Sequence, residues 1–100
     1  MRPKTVTVTS GNSPYLIPVD RFGGVIGVTA TPAGSGNYDV AYTHHQPADY
    51  DFSAVTRWVD ITDMSAATAV ASVELGPCAC LMITLNSGTS VTVDLVQNHD

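Results

Sequence analysis

His44 and His45, followed by Asp49 and Asp51, form the one cluster in this chain whose residue types suit a metal ion. A structural zinc site requires about four ligands that converge on one point. Successive side chains of a strand point to opposite faces, so adjacent histidines on a strand diverge. We therefore expect no metal and no cofactor, with His44 half-buried and His45 in solvent at the end of a strand.

Cys78 and Cys80 are the two cysteines of the chain, and a single residue separates them. On a strand this spacing places both on one face, where neighbours seldom meet the strict geometry of a disulfide. The pair also lacks the spacing of a redox motif and a neighbouring positive charge that would activate a thiol. We expect two reduced, buried thiols in a protein made in a reducing cytoplasm.

Asp60 and Asp63 are a second pair of carboxylates close together in the sequence. Such pairs can support acid–base chemistry or bind calcium. At the edges of loops, however, Asp is also favoured because its side chain bonds the local backbone. No grouping of Ser, His and Asp indicates a nucleophile with its base. The sequence therefore predicts that the protein is not an enzyme.

Tyr50, Phe52 and Trp58 surround Arg57 in and beside the least regular segment, residues 45–56. Aromatic and arginine side chains are enriched at interface hot spots, and loops often carry function. The same aromatic residues could equally plug the end of the core. The candidate partner-contact residues, including two that precede the first strand, are Arg2, Lys4, Tyr50, Phe52, Arg57 and Trp58.

The charge balance argues against nucleic acid as a partner. Nine acidic and four basic residues give a net charge of -5. Nucleic-acid binding depends on many Lys and Arg side chains that neutralise phosphates, so we expect no direct contact with DNA or RNA. The opening MRPKTVTVTS lacks the apolar region of a signal peptide. No stretch approaches the roughly 18 apolar residues that span a bilayer, so we expect no membrane association.

A period of two runs through much of the chain and predicts strands. Valines alternate with threonines in residues 4–10, and aliphatic residues alternate with mostly polar ones in LMITLNSGTSVTVDLVQ. The short Gly-containing loop inside the second run predicts a terminal β-hairpin, and the loop at residues 32–37 has hairpin character too. The alternating positions expected in the core are Val6, Val8, Ile83, Leu85, Val91 and Val93.

The fold class follows from these strands. Seven or eight of them, with turn signals at regular intervals, predict an all-β, single-domain antiparallel β-sandwich that is jelly-roll-like. A small closed β-barrel is the alternative. We expect one domain over residues 1–100, with a short N-terminal arm at residues 1–4 and a polar C-terminal tail at residues 97–100.

The order of these elements resembles small structural proteins of tailed bacteriophages. The resemblance covers a Thr/Val-rich opening strand (TVTVTS), an IPVDRF-like segment, a Tyr-rich strand (YDVAYTHH), a Trp-led strand (WVDIT) and a Ser/Gly loop near the end. It implies a virion component of the capsid decoration or cement type, which binds and stabilises the outside of the shell. The implied partners are the major capsid protein and further copies of the chain, as a dimer or trimer on the capsid surface.

Two other functions remain open at this point. A phage tail or head–tail connector subunit would have the same composition. A carbohydrate- or receptor-binding β module would use exposed aromatic and acidic residues, for which Tyr50, Phe52, Asp49 and Asp51 qualify.

Overall fold

The computed structural model describes residues 3–19, 23–49 and 51–97. Arg2 and Tyr50, two of the expected contact residues, lie outside the described residues. The described elements are β1 (Lys4–Val8), β2 (Tyr15–Pro18), β3 (Ile26–Ala33), β4 (Asn37–Thr43), a 3-10 turn η1 (Phe52–Ala54), β5 (Val59–Asp60), a 3-10 turn η2 (Thr62–Met64), β6 (Ala71–Leu75), β7 (Cys80–Ser87) and β8 (Ser90–Gln97).

The eight strands form two antiparallel sheets of four strands each. Sheet 1 has the order β1-β8-β3-β6, and sheet 2 has the order β2-β7-β4-β5. The first strand pairs with the last, the second with the seventh, the third with the sixth and the fourth with the fifth. Strands from the two halves of the chain thus pair in nested order, and the four pairs alternate between the two sheets. This is the jelly-roll arrangement. The expected β-sandwich is confirmed, and the structure is not a closed barrel.

The core lies between the two sheets and consists of the inward-facing residues of the alternating strands. All six positions expected there are buried, and Val8, Ile83, Val91 and Val93 are fully buried. Val6 and Val8 lie opposite Val93 and Val91 in adjacent strands of sheet 1. The period-two pattern therefore identified the correct face of the first and last strands.

The expected terminal hairpin is wrong. β7 belongs to sheet 2 and β8 to sheet 1, so the connection between them crosses from one sheet to the other as an arch. The loop after β3 makes the same crossing into β4. A hairpin and an arch have identical alternation along their strands. In the arch, however, the two apolar faces are turned towards each other across the core instead of lying side by side.

The two arches pack against each other through glycines. Gly88 has a φ of +92°, a conformation that L side chains rarely adopt. A Cβ atom on Gly88 would overlap the backbone of Gly36 in the neighbouring arch. Glycine at position 88 therefore allows the two sheet crossings to lie in direct backbone contact.

We expect Gly88→Ala to lower the free energy of unfolding by roughly 2 kcal/mol or more, because it combines an unfavourable φ with a clash against backbone. Gly76→Ala is the matched control, since no atom lies within 4 Å of a Cβ at that glycine and its φ is not positive. Urea denaturation of both variants measures the difference. Equal midpoints for the two variants would contradict the role assigned to Gly88.

The strand register gives the sandwich two distinct ends. The two arches lie at one end, which we call the arch end. The opposite end carries the connection 44–58, which follows Thr43, and the connection 76–79, which precedes Cys80. Lys4 lies at this same end, because it pairs with Leu95 near the end of β8. β1 begins at Lys4, and β8 extends through the buried Gln97.

Candidate functional site

The long connection between β4 and β5, residues 44–58, packs onto the outer face of sheet 2. Leu81 points into the main core, so its neighbour Cys80 points outward, as does Leu16 opposite Met82. A second apolar cluster forms on these outward side chains. It contains the buried residues Phe52, Val55, Ala79 and Cys80, with Leu16 and Trp58 packed against them.

Short hydrogen bonds hold the shape of this connection. The indole Nε1–H of Trp58 donates to the Val55 carbonyl over 2.8 Å. The Asp51 side chain accepts from the Ser53 backbone N–H at 3.1 Å, and Asp49 accepts from the Asp51 N–H at 3.1 Å. The two aspartates are therefore used to build turns, which agrees with the structural interpretation of acidic residues at loop edges.

An open cleft of about 510 Å³ lies where this connection leaves β4 and returns to β5. Its lining residues are Thr43, His44, His45, Gln46, Arg57 and Val59. Both histidines line this cleft, and β4 ends at Thr43, so the pair lies just after the strand instead of on it. His44 is exposed and His45 is half-buried, the reverse of what the sequence suggested.

Two contacts fix the histidines that line the cleft. The His45 backbone N–H donates to Thr43 Oγ1 over 3.1 Å, which fixes the start of the loop. The His44 ring packs edge-on against Tyr42, with ring centroids 5.4 Å apart. The side-chain Nε2 of Gln46 is enclosed and has no hydrogen-bond partner among the described residues. With the exposed Arg57 guanidinium, the cleft suits an acceptor-rich group such as a carboxylate.

The expected contact residues differ in whether their side chains are exposed to a partner. Phe52 is 5% exposed, so its side chain packs within the chain and is not available to a partner. Trp58 is half-buried, and Arg57 and Lys4 are exposed. Phe52 and Trp58 thus pack on the outside of sheet 2, while Arg57 beside them faces solvent. Sequence reasoning missed Gln46 and Val59 as residues that line the cleft. The only sequence signal for them is that Gln46 follows the His pair and Val59 lies close to Arg57.

The two cysteines lie in different apolar clusters. Cys78 is buried in the main core and Cys80 in the cluster outside sheet 2, so they do not share a face as the sequence suggested. Both are free thiols. Burial raises the pKa of Cys78 to about 11 and that of Cys80 to about 12. These thiols are protonated and shielded, as expected for structural cysteines.

Across the described ranges, no three or more His, Cys, Asp or Glu side chains are placed to hold a metal ion together. No helix in the same ranges is long and apolar enough to cross a membrane. The chain has no match among protein-family profiles, curated proteins or solved structures.

We expect the native protein to react with a thiol reagent at pH 8 far more slowly than the urea-unfolded chain, because both thiols are buried and protonated. The unfolded thiols ionise near their ordinary pKa of 9.0, below the native values of about 11 and about 12. The unfolded state therefore loses protons first, and the free energy of unfolding should fall as the pH rises from 9.0 towards 12.

Absorbance of the released reagent measures the thiol rates, and denaturation at stepped pH measures the stability. A double Cys78→Ser, Cys80→Ser variant is the control for the pH effect, because it lacks both groups. Rapid labelling of the native wild type would contradict the burial of the two thiols.

Proposed function

We propose that this chain is a structural virion protein of a tailed bacteriophage that binds and stabilises the outside of the capsid shell. It binds the major capsid protein through the end of the sandwich opposite the arches, which carries Lys4 and Arg57 and which we call the cleft end. The sequence resemblance supplies the class of virion protein. A jelly roll serves many functions, so the fold itself contributes only a rigid scaffold.

The observation that carries the proposal is the common location of Lys4 and Arg57. They are far apart in sequence, yet the strand register places both at the end opposite the arches, and both are exposed. They are the lysine and arginine within the described ranges, in a chain of net charge -5. The same end carries the exposed Asp49 and Asp51 in connection 44–58, so each of the two cations would pair with an individual acidic group of the partner.

The cleft adds directional contacts to this charge. The Arg57 guanidinium, which lines the cleft, can hold a carboxylate with two parallel hydrogen bonds. Val59, which is 49% exposed, forms an apolar wall of the same cleft. An acidic side chain of the capsid protein with an aliphatic neighbour would match this combination.

A single contact of this size binds weakly, but the capsid shell offers many copies of the same binding site. Many identical sites on a symmetric lattice allow neighbouring copies to reinforce one another, so modest affinity per site gives high occupancy. The rigid second cluster behind the cleft keeps the loop in its binding shape, which limits the entropy lost on binding.

A carbohydrate-binding module is the second candidate. Its support is the same open cleft with the exposed Arg57 guanidinium, because sugar hydroxyls also accept hydrogen bonds. The candidate is weakened by the burial of Phe52, since this ring is not exposed to stack on a sugar. A glycan array with the wild-type protein separates the two candidates, as does mass spectrometry of purified particles of the phage that encodes the chain.

We expect Arg57→Ala to reduce occupancy on purified shells by about three- to tenfold at low salt, because a charge-assisted contact is lost at an exposed site. Lys4→Ala should give a smaller loss. Both losses should shrink as salt rises, since exposed charges are screened. Arg57→Lys should recover part of the binding, because it restores the charge but not the two-bond geometry.

Asp63→Ala is the matched control, an exposed charged residue in the connection between β5 and β6, and it should bind as the wild type does. Occupancy is read by quantitative gel or cryo-electron microscopy of the shells. Circular dichroism melts of each variant exclude unfolding. Unchanged occupancy for both basic variants places the interface elsewhere, and failure of the wild type to bind any shell rejects the decoration function.

A further inference from the structure

The sandwich has four strand edges, and three of them are closed or unsuited to pairing. On β1, the Asn12 side chain donates to the Thr7 carbonyl over 3.2 Å and accepts from the Thr9 N–H over 2.6 Å. A side-chain amide thus occupies the place of a neighbouring strand. β2 carries Pro18, which has no N–H to donate, and β5 has only two residues.

β6 is the remaining edge, and within the described ranges no strand lies on its outer side. Its five residues pair with β3 in unbroken register, without a proline or a bulge. The Asn12 bond shows that the Thr7 carbonyl points away from β8. Alternation across sheet 1 from that point places the backbone N–H and C=O groups of Ser72 and Glu74 on the free edge of β6.

The core is also incompletely covered along this edge. The inward-facing residues of β6, Ala71, Val73 and Leu75, are only half-buried, although Val28 and Ala30 opposite them in β3 are fully buried. Val70, immediately before β6, is 63% exposed. Unpaired backbone groups and an uncovered apolar row thus lie side by side.

We propose that a second copy of this chain pairs with β6 in antiparallel fashion, with Ser72 opposite Ser72 of the partner subunit. A two-fold axis at Ser72 brings the same edge of each subunit together, as a closed homodimer requires. In this register Ala71 and Val73 face each other across the interface. The exposed Val70 lies opposite Glu74 of the partner subunit, and the two Glu74 carboxylates are kept apart.

The result is a continuous eight-stranded sheet, in which each copy of sheet 1 satisfies the free edge of the other. Extension of a sheet through its edge gives affinity through backbone hydrogen bonds, and the opposed side chains set the register. The proposal stands independently of capsid binding, because none of its residues lies in the cleft or is a basic residue.

Sedimentation equilibrium of the full chain over a concentration series tests the dimer. The register predicts opposite effects of two changes at the exposed Val70. Val70→Glu places a second carboxylate opposite Glu74 and should weaken dimerisation by about fivefold, counting both symmetric contacts. Val70→Lys places a cation there and should strengthen it by a similar factor.

Ser72→Pro removes an edge N–H that makes no bond to any residue that the structure describes, and should abolish the dimer. Thr7→Pro is the matched control at the β1 edge and should leave dimerisation unchanged. Thermal melts check that the two Val70 variants are folded. These variants therefore test the dimer even if a proline variant does not fold. A wild type that stays monomeric at about 1 mM, or a dimer indifferent to both Val70 changes, overturns the proposal.

Discussion

Backbone contact between the two arches, where Gly88 lies against Gly36, is the constraint on which the rest of the fold depends. The chain must leave sheet 1 after β3 and enter it again before β8 at the same end of the sandwich. Only then do β3 and β8 lie side by side in sheet 1 while β4 and β7 lie side by side in sheet 2. A side chain on Gly88 would clash with the backbone of Gly36 and force the two arches apart.

The faces of the strands could be predicted from the sequence, but their partners could not. Alternation depends only on which residues a strand buries, so Val6, Ile83 and Val93 were placed in the core correctly. Whether β7 and β8 share a sheet depends on the strand pairing of the whole chain. That pairing is set by contacts between residues distant in sequence. The sequence predicts a hairpin turn at Gly88, because a glycine in a hairpin turn and a glycine in an arch have the same local sequence pattern.

The candidate site shows the same limit more strongly. The connection 44–58 has no period, and its shape comes from packing on Leu16 and Cys80, which lie in other strands. Without knowledge of that packing, Phe52 and Arg57 appear to be equivalent surface candidates. The structure separates them: the ring anchors the loop, and the guanidinium is left in solvent beside the cleft. Both histidines line that cleft, because β4 ends at Thr43 and leaves them in the connection.

The two proposed surfaces place a geometric condition on each other. A two-fold axis through antiparallel β6 strands turns the second copy end for end, so the two cleft ends of a dimer point in opposite directions. A single shell surface could then engage only one of them. Dimerisation through β6 would thus add no second contact to the same shell, and multivalency there must come from neighbouring sites of the capsid lattice. If both surfaces act, the dimer is suited to joining two acidic surfaces that face each other, whereas one copy is enough to decorate a shell.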